Sequence, residues 1–122
     1  CYVAQLDGVE GFTIPSLQQD VTYNYSYFPI LLDIDRDGFI AHLKEHKIMP
    51  RKYFYPLTSS IVAIGDDCME ARLAEENSTP IASRIAERVL CLPLYPDLTF
   101  AQIEKICACI KEYIRLTSLT EV

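Results

Sequence analysis

The clearest pattern in the chain lies near its end. Ile103, Ile106, Cys107, Ile110, Tyr113 and Ile114 recur at i, i+3, i+4, i+7 spacing, and Gln102, Glu104, Lys105, Lys111, Glu112 and Arg115 cover the other face. One apolar stripe on a helix has this period. Thr99 and Gln102 form a capping box at its start. Thr79-Pro80 opens a second helix, with Thr79 as N-cap, proline at the first helical position, and Ile81, Ile85 and Val89 repeating every four residues. A third runs from about Asp37, read as its N-cap, to Lys47, with Ile40 and Leu43 on one face.

Strand patterns fall between these helices. Phe12–Pro15 reads as a short strand after the Gly8 and Gly11 turns. Tyr23–Leu32 is rich in Tyr, Phe and Ile, and Pro29 within it marks an edge strand or a bulge. Met49–Pro56 reads as extended, and Val89–Leu92 is a short apolar strand ended by Pro93. Thr58–Thr79 has the least pattern and reads as a loop. The order β, β, α, β, loop, α, β, α predicts an α+β fold: a small antiparallel or mixed sheet covered by helices. No strand is followed by a glycine-rich phosphate loop, so a Rossmann unit finds no support.

Composition narrows the function classes. The 122 residues make one domain, or part of a larger one. Half are apolar, too many for a disordered chain. The longest apolar runs fall far short of the ~20 residues a membrane-spanning helix needs. The net charge of −6 disfavours nucleic-acid binding through bulk charge. The five cysteines include no C-x2-C pair, and Cys91 sits in an apolar run. They read as reduced, buried cysteines of a cytoplasmic protein. The chain begins at Cys1 rather than Met; a cleaved lipoprotein start is one reading, and a fragment boundary is the plainer one.

Two metal motifs are incomplete. Asp33-x-Asp35-x-Asp37-Gly38-x-Ile40 matches the first eight positions of an EF-hand loop, but Lys44 stands where calcium needs a bidentate Glu. It reads as a solvated acidic turn that caps a helix. His42 and His46 are an i, i+4 pair with no obvious third ligand, and they read as exposed helix surface. No nucleophile stands out. Acidic neighbours Asp66, Asp67 and Glu70 disfavour a thiolate at Cys68.

The segment Arg51-Lys52-Tyr53-Phe54-Tyr55-Pro56-Leu57 places two cations before three aromatics. If it is extended, Arg51, Tyr53 and Tyr55 share one face, and Lys52 and Phe54 the other. A guanidinium beside two phenols suits a nucleotide diphosphate or sugar phosphate. The competing reading is a strand with its aromatic side in the core and its cations in water.

This segment, with Val89-Leu90-Cys91-Leu92-Pro93-Leu94-Tyr95-Pro96-Asp97-Leu98-Thr99, resembles the C-terminal end of the DegT/DnrJ/EryC1/StrS sugar aminotransferases. Gly11 to Pro15, Asn24-Tyr25-Ser26-Tyr27-Phe28-Pro29-Ile30 and Leu43-Lys44-Glu45-His46-Lys47-Ile48 are similar to further stretches of that family, in the same order. The resemblance implies the small domain of a fold-type I enzyme that uses pyridoxal phosphate to aminate nucleotide-linked sugars, the 4-keto-6-deoxyhexoses above all. It implies glutamate as amino donor and a homodimer. It makes Arg51, Tyr53 and Tyr55 substrate contacts. The family's Schiff-base lysine lies in a Ser-x-x-Lys setting, and Lys44, Lys47, Lys52, Lys105 and Lys111 all lack that context. No catalytic, cofactor-binding or metal residue is therefore assigned within the chain. The chain alone is expected neither to bind the cofactor tightly nor to transaminate. The alternative is a stand-alone ligand-binding or protein-interaction module.

Overall fold

The computed structural model describes residues 1–53, 55–58 and 79–120. The order is α1 (Tyr2–Leu6), β1 (Phe12–Thr13), β2 (Phe28–Leu32), α2 (Arg36–Glu45), β3 (Arg51–Lys52), α3 (Pro80–Arg88), β4 (Val89–Leu92) and α4 (Phe100–Thr120). The four strands form one sheet in the order β1-β2-β4-β3, with every neighbouring pair antiparallel. This is the expected α+β fold, with the antiparallel option realised. The predicted loop Thr58–Thr79 lies outside the described residues except for its two end positions.

Strand β4 organises the sheet. All four of its residues are buried, and it pairs with β2 on one side and β3 on the other. A strand covered on both faces needs an unbroken apolar run, and Val89-Leu90-Cys91-Leu92 supplies one. Across the ladder, Phe28 pairs with Leu92, Ile30 with Leu90 and Phe12 with Leu32. Residues directly opposite share a face, so these six form one apolar layer. Phe39, Ile40 and Leu43 from α2, and Ile103, Ile106, Cys107 and Ile110 from α4, join the same core.

The capping box at Thr99 is formed as expected. The Thr99 amide donates to Gln102 Oε1 at 2.8 Å, and the Gln102 amide donates to Thr99 Oγ1 at 3.3 Å. Thr79 precedes α3, but its hydroxyl makes no cap bond. The N-cap of α2 is Asp35, not Asp37. Asp35 accepts from the amides of Asp37 and Gly38, at 3.4 and 2.8 Å, so the cap lies two residues earlier than expected. A Cβ on Gly38 would lie 2.7 Å from Asp35 Oδ2 and 2.7 Å from the Tyr113 hydroxyl. Any larger residue there would force those two side-chain ends to shift.

Other expectations are adjusted. The Tyr-rich segment forms a ladder only over Phe28–Leu32, because Tyr25 takes a φ of 52° that breaks extended geometry. Strand β2 is interior rather than an edge. Pro29 lies past the end of β1, so the flank it faces there has no β1 residue awaiting a bond. Helix α1 carries no periodic signal of useful length. Tertiary contacts hold it: Tyr2 stacks on Phe28 with ring centres 4.8 Å apart and donates its hydroxyl to the Pro93 carbonyl at 2.8 Å.

Cys91, Cys107 and Cys109 are free and buried, as expected, whereas Cys1 at the chain start is free and exposed, against the expectation, and Cys68 lies outside the described residues. Burial pushes all three buried thiols up.

The core makes a direct prediction. Ile110 is fully buried between α4 and the sheet, so Ile110→Ala is expected to cost roughly 2–5 kcal/mol in urea unfolding. Leu119 is 75% exposed on the same helix, and Leu119→Ala is expected to stay within about 0.5 kcal/mol.

Candidate functional site

The ladder between β3 and β4 covers only Arg51 and Lys52, and the pleat sends these two cations to opposite faces. Lys52 stands opposite Leu90, on the helix side, and pairs with Asp37 at 2.9 Å. Arg51 stands opposite Cys91. Among the described residues no ladder follows Lys52 to enforce alternation, and Tyr53 and Tyr55 separate.

Tyr53 packs against Tyr27, with ring centres 5.1 Å apart. Tyr53, Tyr27, Arg51, Lys52 and Cys91 together line a small cavity of about 70 Å³. Tyr55 lies on the Lys52 side instead. Its ring sits under the Lys52 ammonium at 4.9 Å and the Arg36 guanidinium at 4.6 Å. The structure thus brings Arg51 and Tyr53 together and sets Tyr55 apart. Phe54 lies outside the described residues.

Arg51 also forms part of a larger cleft of about 800 Å³ between β3, β4 and α4. Lys47, Arg51 and Lys105 are its cations, and Glu112 is its one carboxylate among the described residues. Tyr27, Tyr95 and Met49 add apolar surface, and each is substantially exposed. A cleft with cations in excess, on a chain of net charge −6, favours an anion. Apolar and aromatic walls beside it suit a ligand that also carries a ring.

Arg36 is a structural residue that the sequence reading did not single out. It is 8% exposed, and its Nη1 donates to the Ala86 carbonyl. Together with its stacking on Tyr55, this ties the start of α2 to the end of α3. Arg88 closes the neighbouring junction. Its Nε donates to the Leu32 carbonyl at 2.7 Å, and its Nη2 pairs with Asp33.

All three carboxylates of the EF-hand-like pattern therefore have protein partners. Asp33 holds Arg88, Asp35 caps α2, and Asp37 holds Lys52. Gly38 is helical, with none of the positive φ seen at Gly8 and Gly11. The His pair is less simple. His42 and His46 share a face, with ring centres 4.7 Å apart, and Cys109 from α4 approaches both. Helical spacing reveals the pair, but only the packing of α2 on α4 supplies the thiol.

An α+β domain with a cation-rich cleft at the β3 edge is the class these observations define. Comparison with known proteins gives its family. The pattern of the DegT/DnrJ/EryC1/StrS aminotransferase family matches residues 1–111, and the chain belongs to that family. It is 40% identical over 105 residues to dTDP-4-amino-4,6-dideoxy-D-glucose transaminase of Escherichia coli, covering 83% of this chain and 27% of that protein. It is 32% identical over 95 residues to GDP-perosamine synthase of Vibrio cholerae, covering 75% of this chain and 24% of that one. Among solved structures, S. venezuelae DesV in complex with a ketimine intermediate superposes with a TM-score of 0.75 at 25% identity, over 93% of this chain and 29% of DesV. The chain thus spans less than a third of the length of these relatives. No helix among the described residues is long and apolar enough to cross a membrane.

Two predictions follow from the acidic turn. The Lys52 hydrogen bond and charge hold the Asp37 carboxyl below the usual carboxylate range. A lowered folded value means the contact contributes above the unfolded value and is lost as pH falls through the folded one. In Lys52→Met, the Asp37 carboxyl is expected to titrate at higher pH by NMR, and an unmoved titration would deny the contact. Calcium at millimolar concentration is expected to leave the unfolding temperature unchanged, because the three carboxylates are already engaged.

Proposed function

We propose that this chain is the substrate-shaping C-terminal part of a pyridoxal-phosphate-dependent aminotransferase that acts on a nucleotide-linked 4-keto-6-deoxy sugar. The observation that carries this reading is the family match over residues 1–111, joined by 40% identity to a transaminase of a dTDP-linked amino sugar. The excess of cations in the cleft supports it, since the substrate class carries a diphosphate.

Within this reading, Arg51 grips the diphosphate by paired hydrogen bonds, as its planar fork allows. Tyr53, held against Tyr27, presents an aromatic edge and a phenol beside it. Burial pushes the Tyr53 phenol up, with Cys91 and the neighbouring tyrosines adding to the shift, so it acts as a neutral hydrogen-bond donor. Tyr55 contributes more remotely, by fixing Lys52 and Arg36 and so the course of the chain after Arg51. Glutamate as donor and a homodimer complete the proposal.

The residues of this chain do not by themselves fit the cofactor. None of the five lysines is buried, and Lys52 is engaged with Asp37. A Schiff-base lysine works in an enclosed, desolvated pocket. The lysine that carries the cofactor is therefore assigned to sequence beyond these 122 residues. Adding pyridoxal phosphate to this chain alone is expected to produce no absorbance band of a lysine-bound cofactor.

Steady-state kinetics test the Arg51 assignment. In the protein that unites this domain with its lysine-bearing partner domain, Arg51→Ala is expected to raise the nucleotide-sugar KM by roughly tenfold to a hundredfold, the loss of one charge-assisted contact. The donor's KM should stay put. An unchanged nucleotide-sugar KM would remove Arg51 from the site.

A further inference from the structure

The described residues bring His42, His46 and Cys109 together in a way that the aminotransferase reading does not use. One ring nitrogen from each histidine and the Cys109 Sγ all lie within 4.8 Å of one another. The two histidines come from successive turns at the C-terminal end of α2, and the cysteine from the facing side of α4.

The two imidazoles are prepared for a cation. His46 Nδ1 lies 3.0 Å from the His42 carbonyl oxygen. A carbonyl only accepts, so Nδ1 carries the proton and Nε2 keeps its lone pair. His42 Nε2 is buried and makes no hydrogen bond among the described residues. A buried ring nitrogen without a partner is costly unless something else satisfies it. Tyr113 packs on the His42 ring, with centres 5.1 Å apart, and limits its rotation. Cys109 is only 5% exposed, yet with His46 and Glu112 it lines the cleft that contains Arg51. An ion has a route from solvent through that cleft.

We propose that His42, His46 and Cys109 form a zinc-binding site that clamps the C-terminal turn of α2 to α4. Two imidazoles and a thiolate are borderline-soft donors, which suit zinc better than calcium or magnesium. The fourth position faces the cleft, where the Glu112 carboxylate or a water completes a tetrahedron. Binding transfers the Cys109 thiol proton to solvent and forms the Zn–S bond, with no change of oxidation state. Zinc bonds of about 2.0–2.3 Å require the three donors to close in by roughly 1 Å. His46 is exposed and free to make most of that movement. The site stands next to the Lys47–Arg51 segment, so the ion would stiffen the wall on which Arg51 is mounted.

Cobalt(II) substitution tests this in the 122-residue chain. The background carries Cys1→Ser and Cys68→Ser, so that neither thiol can compete with Cys109 for the ion. Titration with cobalt chloride is expected to saturate at one ion per chain. It should give a thiolate-to-cobalt charge-transfer band and visible d–d bands of tetrahedral intensity, both abolished by added zinc. His46→Ala removes an exposed ligand without touching the core, and should weaken cobalt affinity about 100-fold or more. Cys109→Ser should abolish the charge-transfer band. Absence of that band in the background protein, or an affinity unchanged by His46→Ala, would overturn the proposal.

Discussion

Burial of β4 on both faces is the constraint from which the rest of the structure follows. A strand so enclosed cannot carry a charge or an unpaired amide, and both its neighbours must be present for its backbone to be satisfied. The sheet therefore needs β3, although that strand is only two residues long. Because β3 is held by β4, Arg51 and Lys52 are held too, and the candidate site takes its position from the core.

The ends of the elements are secured by a small number of long cationic side chains. Arg36 and Arg88 reach carbonyl groups at the junctions of α3 with the sheet. Ala86 lies in the last turn of α3, where a helix leaves its carbonyls without an intrahelical donor, and Leu32 is the last residue of β2. Supplying donors from remote positions links α2, β2 and the α3–β4 turn into one unit. The two short strands and the five-residue helix likewise keep their places through neighbours rather than their own propensity: β1 and β3 by their ladders, and α1 by the contacts of Tyr2.

The amphipathic stripe of α4, the capping box and the apolar run of β4 were legible in the sequence because each depends on local period or spacing. The family was legible because its motifs are contiguous. What could not be read depends on contacts between distant positions. Asp37 carries the same side chain as Asp35, and only the direction of Lys52 shows which of the two is free to cap. Tyr53 and Tyr55 look equivalent by alternation, but the ladder that enforces alternation stops at Lys52. Cys109 looks like one more buried thiol until α2 packs against α4 and brings the histidines to it.

The pairing of Lys52 with Asp37 has a consequence for how this surface can vary. A strand turns adjacent residues to opposite sides, so the dipeptide Arg51-Lys52 is one cation committed to an internal strut and one offered outward. Exchanging their order would leave mass, composition and net charge untouched. It would place a guanidinium against the helix start and an ammonium at the cleft, losing the planar fork on the cleft side. Sequence order at this point, rather than the amount of charge, is the quantity under constraint.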